Sequence, residues 1–441
     1  MTALPRRTRV GYALAGVSTG TYGTVPGLLL MPYLTDELGV QAAVAGLVVL
    51  APKALDVVLN PVAGRVSDRS PRADRRRPFV VRAGVVMALA FAALFAAPVA
   101  GPVAATAWAL GCSLVAAAAY AFFFVPFLAM SAEITDDYDE RTRLMTGRVV
   151  VITLAILLAG GSAPVLVDAV GGLTGYRTMG IVMAVVIAAG TAAFAWGTRG
   201  APLRRTPATT ASLRTQLAVA LASPHARTLL LAFVLQAAAM GTVLAGIVYA
   251  ARTLVGDPAF ATWAFVAFVG PAVVVAPVWH RVALRVGKKD AFTLATGVLA
   301  VGLVALLLAR DGGTVALLVG AGVVGVGYAG GQLLPLAMLP DLAAHDAAAS
   351  GEDQSGTLSG VWSGCELLGY ALGPALFGLV LTLGGYASAS GGAVEQTDAA
   401  RLAVALGISL VPATLVVLSL VPLRRYRLDD ALRDGGVTTS A

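Results

Sequence analysis

The 441-residue chain is 58% apolar and only 12% charged, with a mean hydropathy of +0.83. Soluble domains carry about a quarter charged residues, so a chain this poor in charge could not cover a water-facing surface, and an ordinary soluble domain is excluded. The net charge of +7 and pI near 9.6 point to a nucleic-acid partner only if the bases form one patch, and their distribution below excludes that.

Arg6, Arg7 and Arg9 precede an apolar stretch that runs on to Tyr33. It is long enough to span a bilayer and reads as a first membrane helix, not as a cleavable leader. Windows of about twenty residues give apolar spans near 10–35, 42–66, 78–100, 103–133, 146–168 and 176–197. After a polar stretch, six more follow near 228–250, 258–281, 290–309, 313–340, 356–384 and 401–422. Pro98, Gly101 and Pro102 mark the turn between the third and fourth. The expected fold is therefore all-α, with twelve transmembrane helices in two six-helix bundles, residues 1–197 and 228–441. A cytoplasmic linker, 198–227, carries Pro202, Pro207 and Pro224. Fifty glycines suit helices that pack closely in lipid through small residues.

With the N-terminus in the cytoplasm, most of the 31 Lys and Arg fall in inward-facing segments, and the external loops hold Arg177, Arg252, Arg310 and Arg401. This is the positive-inside bias, which accounts for the basic pI without nucleic acid and sets both termini in the cytoplasm of a multi-pass cell-membrane protein. Cys112 and Cys365 lie in separate apolar stretches with three scattered His, too few ligands for a metal site and no basis for a disulfide framework. No nucleotide-binding Gly loop and no nucleophile–base arrangement is present. A membrane enzyme would need catalytic side chains clustered at one membrane face. A purely structural membrane protein would confine its charges to helix packing.

The halves echo each other. The fourth span ends Ala129-Met130-Ser131-Ala132-Glu133 and the tenth Ala337-Met338-Leu339-Pro340-Asp341, while Arg65-Val66 after the second corresponds to Arg281-Val282 after the eighth. A tandem repeat of six spans is how two-bundle alternating-access transporters are built, with the site between the halves near the midplane.

Lys53-Ala54-Leu55-Asp56 through Asn60-Pro61 and Gly64 to Asp68-Arg69, with Arg75 to Pro78 following, resembles the second-helix signature of the glycoside–pentoside–hexuronide cation symporters, a branch of the major facilitator superfamily that includes lysolipid carriers. Val125-Pro126, Arg141 to Arg148, Trp279 with Gly287-Lys288-Lys289, and Ala337 to Asp341 agree in order along nearly the whole chain. The resemblance implies secondary transport of a small molecule by a monomer in a lipid bilayer, without an organic cofactor but with Na⁺ or H⁺ as a possible coupling ion.

It also assigns residues. Asp56 and Lys53, one turn apart, with Asn60, hold the cation-coupling position; the family's further oxygen donors read Leu59 and Ala121, which leaves Na⁺ coupling, proton coupling and uncoupled transport open. The substrate cavity is expected at Gly20, Phe124, Leu128, Arg148, Glu366 and Leu367. Here the family's sugar-binding aspartates are replaced by Gly20 and Phe124, its stacking Trp by Leu128 and its lysine by Leu367. The wall Ala121 to Val125 is apolar, so the expected substrate is amphiphilic or largely apolar, with a sugar symporter as the alternative. The cytoplasmic gate is expected at Asp68, Arg69, Arg141, Asp341 and Asp346, with Asp341, His345 and Asp346 reaching toward the Arg-rich first half.

The orientation has a direct check. A cysteine at Thr209 should react with a membrane-impermeant thiol reagent only from the cytoplasmic side, and one at Ser390 only from outside. Labelling of both from one side would reverse the assignment of the loops.

Overall fold

The computed structural model describes residues 4–68, 76–98, 101–135, 138–201, 223–350, 355–389, 394–426 and 428. Arg69, most of the 198–227 linker, Thr209 and Ser390 lie outside the described residues. The chain is helical along almost all of its described length. The first half holds α1 (Arg6–Pro32), α2 (Ala42–Asp68), α3 (Arg77–Leu94), α4 (Pro102–Ile134), α5 (Tyr138–Val170) and α6 (Gly172–Gly197). The second holds α7 (Pro224–Ala250), α8 (Phe260–Val286), α9 (Lys288–Ala305), α10 (Ala309–Ser350), α11 (Ser355–Leu383), α12 (Asp398–Ile408) and α13 (Leu410–Arg425).

Among the described residues, 11 stretches are long and apolar enough to cross a membrane, α12 and α13 together forming one of them. The remaining long helix, α1, spans 27 residues but dilutes its apolar content with Ser18, Thr19, Thr21 and Thr24, all buried. The last span is broken at Ser409, whose backbone leaves the helical region (φ −119°, ψ −82°). The turn between α3 and α4 falls where Gly101 takes φ +98°, a conformation open to glycine alone at little cost, just before Pro102 opens α4.

Two compact units emerge: Met1–Thr210 with Tyr386–Gln396, and Ala211–Gly385 with Thr397–Ala441. The short segment after α11 joins the first unit because Tyr386 donates to Asp36 Oδ1 (3.1 Å) and Ala389 N–H donates to the Thr35 carbonyl (2.8 Å). Within the first unit α1 packs on α5 and α6, α2 on α4, and α3 on α4 and α6. The second unit repeats this plan: α7 packs on α11, α12 and α13, α8 on α10, and α9 on α10 and α13.

Close approach depends on small residues, as expected where no hydrophobic effect drives helices together in lipid. A Cβ at Gly197 would strike the Gly11 backbone, and one at Gly373 the Gly241 backbone, so the α1–α6 and α7–α11 crossings both depend on facing glycines.

The Ala-Met-x-x-acid repeat acquires a structural meaning. In the first unit Glu133, at the end of α4, meets Arg76, at the start of α3, across 3.0 Å, with side chains 1% and 6% exposed. In the second unit Asp341 on α10 pairs with Lys288, the first residue of α9, whose ammonium also donates to the Ala337 carbonyl (2.9 Å). That pair is about one-third exposed on each side, 32% and 35%. Each bundle thus has an ion pair at corresponding positions, buried in one case and wet in the other.

The difference sets a ranking. Breaking a buried pair leaves an uncompensated charge and costs about 3–5 kcal/mol, whereas an exposed pair contributes about 0.2–1 kcal/mol. Glu133→Gln should therefore lower the thermal unfolding midpoint of the purified protein by several degrees more than Asp341→Asn. Equal shifts would show that the two pairs carry equal weight.

Candidate functional site

In the first unit the chemistry begins on α2. Asp56 and Asn60, four residues apart, share a helix face. Pro52 and Pro61 bracket them, each removing a backbone donor inside the helix. Asp56 is 1% exposed, and its Oδ1 has no hydrogen-bond partner; the Asn60 Oδ1 is likewise without one. Lys53 is half-buried one turn away, yet no ion pair within 4.0 Å joins it to Asp56. The two therefore do not simply cancel. Ala121, at the position of the family's threonine oxygen, is fully buried and brings no donor.

A row of rings lies beside this face. Tyr22 on α1, within electrostatic reach of Asp56, stacks on Tyr120 of α4 (centroids 4.9 Å, 24°). Tyr120 stacks on Phe124 one turn along (5.2 Å, 12°). The Arg148 guanidinium of α5 then sits 5.6 Å from the Phe124 centroid and 5.7 Å from that of Phe127, a cation–π arrangement. Among the described residues Arg148 Nε has no hydrogen-bond partner, and the side chain makes no ion pair within 4.0 Å. A base serving only as a positive-inside anchor would point to water; this one lies against two aromatic faces.

The apolar wall divides. Phe123 is fully buried toward Phe127, Phe122 packs toward Phe79, and Phe124 joins the row to Arg148, with Leu128 half-buried one turn further. Gly20 takes a different place from the expected cavity: a Cβ there would meet the Ala155 Cβ and the Ile152 carbonyl, so its missing side chain serves the α1–α5 crossing.

In the second unit Glu366 and Leu367 are half-buried on α11. Glu366 is joined by three residues that the sequence reading did not single out. The Tyr328 and Tyr370 hydroxyls meet at 2.8 Å, and Gln332 Nε2 donates to the Tyr370 oxygen at 2.8 Å. The signal available was the spacing: Glu366 and Tyr370 are i and i+4 on α11, Tyr328 and Gln332 i and i+4 on α10, both within apolar spans. A separate set, Gln236 donating to Thr296 (3.0 Å) and Ser419 (3.1 Å), is buried and mutually satisfied and serves as core.

The expected gate resolves only in part. The side chains of Asp68 and Arg141, and all of Arg69, lie outside the described residues. Asp341, expected to reach toward the Arg-rich first half, instead takes Lys288 of its own unit, a base that the α9 start places one helix away. Asp346 accepts from Ser223 Oγ (3.2 Å) and contacts His345 Nδ1 (3.3 Å).

The family described as MFS/sugar transport protein matches residues 11–430, and the chain belongs to it. The family is one of transporters and not of enzymes, in keeping with the expected symporter branch. An uncharacterized symporter of Bacillus subtilis (strain 168), YnaJ, is 24% identical over 436 residues, covering 96% of this chain and 92% of that protein. The glucuronide carrier protein homolog of Escherichia coli (strain K12) is 28% identical over 160 residues, 34% of either chain. Several of the curated relatives match over only about a third of their own length, as this one does. The crystal structure of the nucleoside transporter NupG superposes with a TM-score of 0.69 at 13% identity, over 96% of this chain and 98% of that one, a likeness of fold alone.

Proposed function

We propose that the protein is a secondary transporter that moves an amphiphilic solute with one polar head by alternating access, coupled to a proton or small cation at Asp56. The observation that carries the substrate class is the row Tyr22–Tyr120–Phe124 ending on Arg148. It offers a long aromatic surface, fit for the apolar chain of such a solute. A sugar presents hydroxyls in several directions, and each one left unpaired against such a surface costs about 1–3 kcal/mol.

Coupling rests on the orphan oxygens of Asp56 and Asn60. A buried carboxylate oxygen without a partner is completed by binding a proton or a small cation, and an intramembrane acid of this kind marks an ion pathway. Two oxygens alone are a poor shell for Na⁺, which favours the proton. The opposing reading, a glycoside symporter, gains support from the Tyr328–Tyr370–Gln332 network, whose hydroxyl and amide groups would suit a polyol, and from the family's description.

In proteoliposomes, wild-type protein should accumulate a single-chain amphiphile such as a lysophospholipid when a proton gradient is imposed. Asp56→Asn should abolish that accumulation while leaving folding intact. Galactosides and pentosides at millimolar concentration should not compete. Saturable competition by a simple glycoside would favour the sugar symporter, and undiminished accumulation in Asp56→Asn would place coupling elsewhere.

A further inference from the structure

The second unit contains an acid that nothing among its described residues neutralises. Glu366 lies within the membrane span Gly360–Leu383 and makes no ion pair within 4.0 Å and no hydrogen bond with the described residues. The Tyr328–Tyr370–Gln332 triad stands beside it, and the carboxylate acts electrostatically on both phenols. Tyr328 is itself set by Phe268, whose ring lies 5.0 Å away at 41°.

The hydrogens of the triad can be counted. Gln332 donates to the Tyr370 oxygen. The contact between the two hydroxyls consumes one phenolic hydrogen, whichever phenol gives it. Neither tyrosine hydroxyl has a further partner among the described residues, so one O–H hydrogen is left over. With Glu366 ionised, the cluster therefore presents one negative charge and one free hydroxyl hydrogen.

Charge decides what such a cluster recognises. An anion is repelled by the carboxylate. A neutral polyol pairs with the spare hydroxyl but leaves the charge in hydrocarbon uncompensated, a cost of several kcal/mol. A cationic nitrogen offsets it directly, by a charge-assisted contact.

We propose that Glu366, Tyr328 and Tyr370 form a receptor for a cationic nitrogen, a protonated or quaternary amine, with Gln332 as the positioning residue that holds Tyr370. The assignment rests on the amphiphile reading and deepens it by giving the polar head a charge.

The test uses full-length protein in lipid nanodiscs and three probes sharing one chain: dodecyltrimethylammonium, dodecyl sulfate and dodecyl maltoside, each below its micelle threshold. Thermal stabilisation by the ammonium should be saturable in the wild type. Its apparent affinity should fall about tenfold or more in Glu366→Gln, as expected for loss of a direct charge partner. Tyr328→Phe, which keeps the ring and removes the hydroxyl, should fall by less and serves as the second variant if Glu366→Gln does not fold. Binding of the sulfate and the maltoside should be unchanged in both variants. Ammonium binding that is equal in wild type and Glu366→Gln, or in the fallback equal in wild type and Tyr328→Phe, would overturn the receptor. Stabilisation by the maltoside or sulfate without the ammonium would overturn this inference and leave the amphiphile reading standing. Failure of all three probes would remove both.

Discussion

A charge in hydrocarbon must find a partner, face water or carry function, because leaving it bare costs several kcal/mol. That constraint organises this chain. Glu133 meets Arg76 and Asp341 meets Lys288, each pair at corresponding positions of its own bundle. These charges are accounted for by architecture. Asp56, Glu366 and Arg148 lie within membrane spans and have no ion pair within 4.0 Å among the described residues. Two of the three lie beside the aromatic row of the first unit and the third beside the hydroxyl triad of the second. On the proposed function, the paired charges belong to the scaffold and the unpaired ones to the site.

The internal repeat deepens the same point. Both units pack their helices in one plan and each uses a close glycine contact, Gly11 with Gly197 between α1 and α6 and Gly241 with Gly373 between α7 and α11. Their chemistry has diverged: the first carries a carboxylate beside an amide and an arginine on phenyl rings, the second a carboxylate beside two phenols. The two units thus share a scaffold while the polar groups each one buries differ.

Much of this was legible in the sequence because its causes are local. Hydropathy and length located the helices, since a bilayer demands about twenty apolar residues. Pro98, Gly101 and Pro102 marked the α3–α4 turn for stereochemical reasons. The Ala-Met-x-x-acid repeat was visible, but its bases were not: Arg76 and Lys288 lie far from Glu133 and Asp341 in the chain and meet them only through helix packing. Asp341 was accordingly expected to seek a base in the other half. The triad was missed for the same reason, as Tyr328 and Tyr370 look like ordinary aromatic residues until α10 and α11 bring their hydroxyls to 2.8 Å. Gly20 shows the converse: its family position suggested a binding site, while its contact with α5 concerns packing.

The central claim is that the two unpaired acids do different work, Asp56 in coupling and Glu366 in recognition. Counterflow separates these roles, because exchange of labelled for unlabelled solute across a vesicle membrane needs the recognition site and no driving gradient. In proteoliposomes preloaded with unlabelled lysophosphatidylcholine, whose head carries a quaternary amine, Asp56→Asn should still exchange labelled lipid at a rate near the wild type, and Glu366→Gln should lose exchange. Exchange abolished in Asp56→Asn but intact in Glu366→Gln would contradict the assignment of both acids.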